Sequence, residues 1–425
     1  MRKRILVFPC GSEIGLEIHR SMRYSTHFHL VGASSVDDHG RFVYDDYVGD
    51  LPLHDQSDFA ERLAEVVRLH HIDAIYPAMD AVAETLQNLA GALGVIVIGS
   101  SPDATATCAS KSATYDLLEG TVPLARRFAS LDQVDHFPIF IKPDRGYGAR
   151  NTLLAETRDA ARGFLARPHT VPMLLLEYLP GREWTVDCFS DRHGRLRFHG
   201  VRGRNRISNG ISVNTTPSDH HAGEFRTWAQ SINNALRPRG AWFFQARQDA
   251  TGQPKLLEVA ARLGGSSSLF RCTGVNFALL SAFDAFGLDV EIAPNHYAIE
   301  LDRALDNRYR INIDYQHIFV DLDDCLLIHG KINPALIGFL YKAVSDGKQL
   351  TLLTRHHQDP AITLSQYRIE SLFDRVVHIR PEESKSLYVD SHDAIFIDDS
   401  HAERRDVAER VGIPVFAPDM IEALL

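Results

Sequence analysis

Residues 317–327, His-Ile-Phe-Val-Asp-Leu-Asp-Asp-Cys-Leu-Leu, decide the fold of the last part of the chain. An apolar run with the character of a β-strand ends in two carboxylates, Asp321 and Asp323. In a parallel α/β sheet, ligands bind at the carboxyl ends of the strands. Because the chain turns here, both carboxylates can face one site. The sequence therefore predicts a parallel sheet with an acidic site at the end of this strand.

Two carboxylates in this arrangement suit the transfer of a phosphoryl group. Asp321 would attack phosphorus and form an aspartyl phosphate. Asp323 would protonate the leaving alcohol and then take a proton from the attacking water. Because acidic groups cluster here, a hard cation with oxygen ligands is needed, and we expect Mg²⁺.

Three later segments supply the other groups that such a site needs. One predicted strand ends at Thr354, whose hydroxyl can hydrogen-bond a phosphate oxygen. Lys385 can neutralise the phosphoryl group, and a further strand ends in Asp398 and Asp399. The predicted metal ligands are Asp321, Asp323, Asp398 and Asp399.

In their order and placement, these motifs resemble the haloacid dehalogenase (HAD) superfamily of phosphatases, over roughly residues 314–425. The resemblance implies a HAD-like Rossmannoid domain and the roles given above. Cys325 stands where that superfamily usually has Thr or Val, at a position that mainly supports the turn. Two alternatives are open: an Asp-x-Asp turn that only caps a helix, and a superfamily member that is not a phosphatase.

The spacing of the motifs bears on the size of the substrate. The intervals from Asp321 to Thr354 and from Thr354 to Lys385 are too short for a large inserted cap domain. We therefore expect a minimal cap and an open site, which takes a bulky substrate unless the preceding part of the chain covers it.

A second phosphate-binding pattern lies at residues 139–151, Ile-Phe-Ile-Lys-Pro-Asp-Arg-Gly-Tyr-Gly-Ala-Arg-Asn. A predicted strand leads through Lys142 to a loop that contains Gly146 and Gly148. Glycines let backbone N–H groups approach phosphates closely, and lysine supplies a point charge. The pattern is not a P-loop, because the lysine precedes the glycines.

Polar residues on later strands add to this predicted nucleotide site. Glu177 ends a strand and is placed to bind a ribose or the edge of adenine, and Glu183 follows after a turn. Gln245 ends one strand and Glu258 lies on the next, so adjacent strands can bring both onto one Mg²⁺.

Residues 1–300 resemble an ATP-grasp ligase, most of all the carbamoyl-phosphate-synthase-like branch. Lys111 matches the first nucleotide lysine of that family, and Lys142 the second. Arg204 matches the stretch that binds phosphates and the carboxylate, and Glu258 and Arg262 match a Glu-x-Asn-x-Arg motif. The resemblance implies ATP and Mg²⁺ as cofactors, with Arg204 and Arg262 stabilising the transferring phosphoryl group.

Ala260 departs from that motif, because the family has a metal-binding Asn at this position. The side chain that would bind the second of two Mg²⁺ ions is therefore missing. Gln245, Glu258 and the phosphates of ATP can hold one ion, or a neighbouring side chain substitutes.

The succession of strands and helices predicts an α/β chain of three domains. Residues 1–104 alternate strands with helices and are expected to form a pre-ATP-grasp α/β domain. Residues 105–300 carry longer strands rich in β-branched and aromatic residues, which predicts the α+β fold of an ATP-grasp domain. Residues 314–425 alternate again and form the predicted HAD-like phosphatase domain, and we interpret 295–313 as the joining segment.

Composition excludes several classes of protein. The formal net charge of −10 argues against a nucleic-acid partner. No apolar run is long enough to span a bilayer, so we expect no membrane partner. Five scattered cysteines argue against disulfides and zinc and favour a cytoplasmic protein. Paired histidines such as His356 and His357 lack partners at metal-ligand spacing, so we interpret them as surface or turn residues.

These patterns together predict a bifunctional enzyme. The ligase would join a small-molecule carboxylate to an amine through an acyl phosphate, and the phosphatase would act on a phosphorylated substrate or product. One alternative is a phosphatase regulated by a nucleotide-binding ATP-grasp module that has lost its activity, which Ala260 motivates. A nucleotide-dependent scaffold is another. Dimers are common among ATP-grasp enzymes, which makes a homodimer one arrangement to expect.

Overall fold

A computed structural model describes residues 2–146, 150–208, 210–295, 297–304, 309 and 311–425 of the chain. It divides into two compact units, Met1–Leu305 and Asp306–Leu425. The first unit contains the first two predicted domains together, and the second contains the third. The boundary near residue 104 stays a prediction.

The first unit begins with a five-stranded parallel sheet in the order β3-β2-β1-β4-β5. Its elements are β1 (Lys3–Phe8), α1 (Glu13–Met22), β2 (Phe28–Ala33), β3 (Asp46–Val48), α2 (Phe59–Leu69), β4 (Ala74–Pro77), α3 (Asp80–Leu93) and β5 (Ile96–Val97). The central strand β1 is a continuous apolar run, and Ile5, Leu6 and Val7 are fully buried. Such a run is typical of a parallel strand covered on both faces.

A four-stranded antiparallel sheet follows, in the order β6-β9-β7-β8. Its elements and the helices around it are α4 (Pro102–Ala109), α5 (Lys111–Leu118), β6 (Arg127–Phe128), β7 (Ile139–Pro143), β8 (Leu153–Ala155), α6 (Arg158–Leu165) and β9 (Met173–Glu177). The Ser110 hydroxyl accepts a hydrogen bond from the Ala113 amide at the start of α5. This cap satisfies a free amide of the first turn, and it sets Lys111 as the first residue of the helix.

The largest sheet of the first unit has six antiparallel strands in the order β14-β13-β10-β11-β12-β15. The elements of this region are β10 (Glu183–Ser190), β11 (Leu196–Ser208), β12 (Ile211–Pro217), α7 (Ala222–Leu236), β13 (Gly240–Gln248), β14 (Pro254–Ala260), α8 (Ser268–Arg271), α9 (Phe277–Ala285) and β15 (Leu301–Asp302). Helix α7 covers one face, where Trp184, Phe225, Trp228 and Phe244 form a buried cluster. The opposite face of this sheet carries the candidate site described below.

Two features of this sheet differ from the sequence prediction. Strands β11 and β12 were not predicted, because the glycines and arginines of β11 hide the alternation of apolar and polar residues. Strand β15 lies inside the segment interpreted as a linker, yet it pairs with β12 through Asn214 opposite Asp302. Part of that segment is therefore an edge strand of the first unit.

The second unit contains a five-stranded parallel sheet in the order β20-β19-β16-β21-β22. Its elements are β16 (His317–Val320), β17 (Leu327–Ile328), β18 (Lys331–Ile332), α10 (Pro334–Ser345), β19 (Gln349–Thr354), α11 (Pro360–Gln366), β20 (Arg375–His378), β21 (Ala394–Ile397), α12 (His401–Arg410) and β22 (Val415–Phe416). Strands β17 and β18 form a small antiparallel hairpin after the first strand. Over the fully described stretch 321–385, no larger insertion interrupts the sheet, as the motif spacing predicts.

None of the helices in the part of the chain that the structure describes combines the length and the hydrophobicity that a bilayer crossing needs.

Candidate functional sites

In the second unit, strand register brings the predicted carboxylates to one edge of the sheet. Val320, the last residue of β16, pairs with Leu352 of β19 on one side and Ile397 of β21 on the other. The Asp321 amide donates to the Ile397 carbonyl over 2.9 Å. Because parallel strands end at the same edge, the residues that follow β16 and β21 lie side by side.

A buried lysine lies between two of these carboxylates. The Nζ of Lys385 is 2.6 Å from a carboxylate oxygen of Asp321 and 2.6 Å from one of Asp398. All three side chains are almost fully buried. Burial raises the pKa of Asp321 and of Asp398, and Lys385 opposes this effect. One cation therefore does not balance the negative charge of this cluster.

The donor set fits a divalent cation. Carboxylate oxygens of Asp321, Asp398 and Asp399 all lie within 4.8 Å of one another. Mg²⁺ prefers oxygen ligands of this kind, and the charge excess around Lys385 is the feature that an added cation would relieve. Asp323 was predicted as a fourth ligand, but it is not a member of this group among the described residues.

The carboxylate of Asp323 instead meets a histidine. Both of its oxygens lie 2.9 Å from Nδ1 of His356. His356 is buried, with 7% of its surface exposed, so its interpretation as a surface or turn residue was wrong. Thr354, at the end of β19, is fully buried, and its Oγ1 accepts the His356 amide over 3.1 Å.

The first unit contains a cavity of about 320 Å³ between its two antiparallel sheets. The predicted site residues that line it are Lys111, Lys142, Gly146, Glu177, Glu183, Arg204, Gln245 and Glu258. Gly148 falls outside the described residues. Apolar side chains, among them Phe140, Leu176, Leu179 and Leu257, form the rest of the wall. A mixed wall of this kind suits a ligand with an aromatic and an anionic part.

Two lysines line the cavity, Lys111 and Lys142. Lys142 is buried, and its Nζ donates to the Leu257 carbonyl over 3.0 Å. Lys111 donates to the Asp144 carbonyl over 3.3 Å and to the Gly146 carbonyl over 3.1 Å. Gly146 has a φ of 133°, a conformation that favours glycine. Burial lowers the pKa of Lys142 to about 8, an effect that Glu258 opposes and Lys111 reinforces.

A buried ion pair lies beside them. An Nη of Arg204 is 2.5 Å from a carboxylate oxygen of Glu183, and the other donates to the Gly210 carbonyl over 2.6 Å. The Nε of Arg204 is buried and has no hydrogen-bond partner among the described residues. A buried donor without a partner is costly, and an anionic ligand would satisfy it.

The predicted metal ligands of the first unit face each other across two strands. Gln245 on β13 pairs with Glu258 on β14, and Phe243 pairs with Ala260. Glu258 and Ala260 therefore project from the same face of β14. The side chain of Ala260 is buried and supplies no ligand atom.

Two predicted residues have partners outside the cavity, although Glu177 also lines it. One oxygen of Glu177 accepts the Arg126 amide over 2.9 Å. Arg262 does not line the cavity; it pairs with Asp80 at the start of α3 over 2.8 Å, and its guanidinium lies over the Phe243 ring. The pair with Asp80 is a contact between the parallel part and the antiparallel part of the first unit.

Comparison with known proteins identifies the fold of this unit. A family model described as "ATP-grasp in the biosynthetic pathway with Ter operon" matches residues 169–303. A D-alanine–D-alanine ligase of Clostridium perfringens (strain SM101 / Type A) is 30% identical over 113 residues, which is 24% of this chain and 38% of that protein. The match thus spans well under half the length of this curated relative.

Solved structures agree with that match. The biotin carboxylase domain of the 2-oxoglutarate carboxylase from Hydrogenobacter thermophilus, a dimer in complex with MgADP and bicarbonate, has a TM-score of 0.57 at 16% identity, over 68% of this chain and 71% of that chain. N5-carboxyaminoimidazole synthetase from Staphylococcus aureus has a TM-score of 0.57 at 15% identity, over 69% of this chain and 81% of that chain. The first unit has the ATP-grasp fold.

Sequence reasoning missed several residues of the ATP-grasp cavity. Arg247 lies at its wall and is 3.8 Å from Glu183, and Phe140 and Leu257 supply apolar surface. Leu257 also holds Lys142 through its carbonyl, an interaction that no sequence pattern marks because any residue has a carbonyl. Phe140 lies two residues before Lys142 on the predicted strand, so strand alternation was the available signal for it.

Proposed function

We propose that the chain is a bifunctional enzyme. Its ATP-grasp unit would be an ATP-dependent ligase that joins a carboxylate to an amine, and its second unit a magnesium-dependent phosphatase of the HAD type. One observation supports the proposal: each unit brings charged residues from several of its predicted motifs together with one buried lysine, Lys142 in the first and Lys385 in the second.

In the ligase reaction, a carboxylate oxygen of the substrate attacks the γ-phosphorus of ATP, and ADP leaves. The amine then attacks the carbonyl carbon of the acyl phosphate, and phosphate leaves as the amide bond forms. Lys111, Lys142 and Arg204 lie where they can bind the phosphates and balance the charge that develops on them. Gln245 and Glu258 would hold Mg²⁺, which supplies further positive charge to the phosphates when bound.

In the phosphatase reaction, a carboxylate oxygen of Asp321 attacks phosphorus, and the leaving oxygen takes a proton from Asp323. Water then attacks the aspartyl phosphate and gives its proton to Asp323, which frees Asp321 and inorganic phosphate. Lys385 and the hydroxyl of Thr354 bind phosphoryl oxygens. Asp321, Asp398 and Asp399 would hold Mg²⁺, which offsets the charge between nucleophile and phosphate when bound.

Ala260 supports a second candidate function. If the missing ligand abolishes carboxylate activation, the ATP-grasp unit binds nucleotide without ligation and regulates the phosphatase. The similar proteins named above are a ligase, a carboxylase domain and a synthetase, and the name of the ligase favours the first candidate. A cytoplasmic location and a homodimer complete the proposal; the carboxylase named above is described as a dimer.

The test measures ADP and free phosphate released by wild type and by Asp321→Asn, with ATP, Mg²⁺, p-nitrophenyl phosphate as a phosphate ester, and pooled amino acids and other small carboxylates. Some pool should raise ADP in both proteins, and free phosphate should exceed ADP in wild type alone. If no pool raises ADP while wild type alone hydrolyses a phosphate ester, the regulatory candidate replaces the ligase. If no pool raises ADP and wild type hydrolyses the phosphate ester no faster than Asp321→Asn does, both candidates are wrong.

A further inference from the structure

The half-exposed carboxylate of Asp323 is held by one imidazole. Its side chain is 48% exposed, and both oxygens lie at 2.9 Å from Nδ1 of His356. Within the part of the chain that the structure describes, His356 is the hydrogen-bond partner of this carboxylate. An exposed carboxylate otherwise rotates among several rotamers, so this contact selects one orientation.

The imidazole is itself fixed from several sides. Its Nε2 lies 2.8 Å from Oγ1 of Thr363, a buried residue of α11. Its main-chain amide donates to Thr354, and its carbonyl lies 2.7 Å from Nε2 of His378 at the end of β20. His356 therefore connects Asp323 to strands β19 and β20 and to helix α11.

We propose that His356 is a positioning residue that orients Asp323 for proton transfer to the leaving group. This inference rests on the proposed phosphatase function, because it assigns a role to a group that acts on Asp323. A carboxylic acid transfers a proton efficiently when it is held within hydrogen-bond reach of the accepting oxygen. His356 supplies that restraint through its hydrogen bond to Asp323, and Thr363 of α11 holds the other ring nitrogen.

The contacts of His356 suit a partner whose protonation changes during the reaction. When Asp323 is ionised, Nδ1–H donates to it and Nε2 accepts the Thr363 hydroxyl. When Asp323 carries the proton on one oxygen, Nδ1–H still donates to the other oxygen and Nε2 still accepts the Thr363 hydroxyl, so the acid proton stays available for the leaving group. A neutral imidazole thus keeps its hydrogen bonds to Asp323 and to Thr363 in both halves of the reaction.

A purely structural role for His356 makes a different prediction. If the imidazole only anchors α11 to the sheet, its loss disturbs the whole site and slows every substrate equally. If it orients the acid, its loss matters most when the leaving oxygen is strongly basic and needs the proton. p-Nitrophenyl phosphate has a weakly basic leaving group and a simple alkyl phosphate a strongly basic one, so the two substrates separate the two roles.

The experiment compares His356→Asn with His356→Gln in the full chain. The amide nitrogen of Asn lies where Nδ1 lies and can still donate to Asp323, whereas that of Gln reaches the position of Nε2 and contacts Thr363 instead. We measure kcat/KM, which reports on the phosphorylation step, for both substrates with Mg²⁺. His357→Asn, an exposed neighbour, is the matched control.

For His356→Gln we expect kcat/KM to fall by ~10²-fold with the alkyl phosphate and by less than ~3-fold with p-nitrophenyl phosphate. His356→Asn should keep both values within ~3-fold of wild type, since the donor to Asp323 is restored. Thr363→Val removes the far anchor and should give a smaller loss with the same dependence on the leaving group. If His356→Gln does not fold, Thr363→Val replaces it in the comparison of the two substrates.

The inference is wrong if kcat/KM of His356→Gln falls equally for both substrates, or if His356→Gln is as active as wild type on both. Neither result contradicts the proposed phosphatase function. If wild type and Asp321→Asn hydrolyse neither ester above background, the phosphatase proposal itself is wrong, and the role of His356 is rejected with it.

Discussion

Each candidate site contains a buried lysine, and the two lysines differ in their surroundings. Lys142 of the ATP-grasp unit donates to a carbonyl at 3.0 Å, and burial lowers its pKa to about 8. Lys385 lies 2.6 Å from both Asp321 and Asp398, and although burial opposes it, these carboxylates raise the pKa of Lys385. The wall of the first cavity has more lysine and arginine side chains than carboxylates, whereas the second cluster has more carboxylates than cations. Each imbalance supports the proposed ligand, nucleotide phosphates in the first case and Mg²⁺ in the second.

The largest effect should come from Asp321, the carboxylate that we propose as the nucleophile. Asp321→Asn keeps the shape of the side chain but removes the proposed nucleophile, so phosphatase activity should fall by ~10³-fold or more. Release of inorganic phosphate from an ester measures it. ATP turnover by the first unit should be unchanged in the same protein, because Asp321 belongs to the second unit.

Asp80→Asn, at the first residue of helix α3 in the first unit, is the control for the loss of a carboxylate as such. It should leave phosphatase activity at the wild-type level. Full phosphatase activity in Asp321→Asn would mean that the acidic cluster is not the catalytic site.

The next largest effect should come from Lys142, the buried lysine of the ATP-grasp cavity. Lys142→Met removes a cation from the ATP-grasp cavity, and ATP turnover should fall by ~10²-fold. The variant should fold as well as wild type, because methionine avoids the cost of burying a charge. Coupled ADP detection measures turnover, and thermal unfolding measures stability.

Lys331→Met, in the exposed hairpin of the second unit, is the control for loss of a lysine as such. If Lys142→Met turns over ATP at the wild-type rate, Lys142 does not bind the transferring phosphate, and the comparison of the two lysines loses its functional meaning.

The sequence predicted the strands that carry the motifs, because apolar runs that end in charged residues are strong local signals. Strand β16 and the acids after it follow from one short stretch, and the structure has them within a residue of the prediction. Both parallel sheets were predicted from the alternation of strands and helices, and they have the same order of strands. Yet their sites differ, since identical topology does not determine the residues at the strand ends.

What the sequence could not predict depends on contacts between distant segments. Arg262 pairs with Asp80, far earlier in the chain, instead of lining the cavity. His356 meets Asp323 because β16 and β19 are neighbours and the loop after β19 turns back over the sheet edge. Neither pairing has a local signature, because periodicity reports on one element at a time.

Ala260 allows a gain of function to be tested. Ala260→Asn places an amide oxygen on the same face as Glu258, opposite Phe243, and should increase the apparent Mg²⁺ affinity in ATP turnover about tenfold. Ala260→Val fills similar volume without a ligand atom and should not. Titration of ATP turnover with Mg²⁺ measures both. An unchanged Mg²⁺ dependence in Ala260→Asn would show that position 260 does not contact the ion.

The smallest expected effect is the uptake of less than one proton when nucleotide binds. It tests whether Lys142 differs from Lys385 in its charge. With a pKa of about 8, Lys142 carries its proton in about half of the molecules at pH 8. Bound phosphates favour the charged form and raise that pKa, so nucleotide binding at pH 8 should take up about half a proton, and almost none at pH 6.5. Calorimetric titration in buffers of different ionisation enthalpy measures this uptake.

Lys142→Arg is the control, because arginine stays charged at both pH values and should bind nucleotide without proton uptake. The lowered pKa of Lys142 also makes the free energy of unfolding depend on pH. Between about pH 8 and 10.5 the folded lysine is neutral while the unfolded one is charged, so the unfolded state binds more protons and wild type gains stability relative to Lys142→Arg as pH rises. If wild type takes up no proton at pH 8, nucleotide phosphates do not change the charge of Lys142, and the comparison of the two lysines loses its functional meaning.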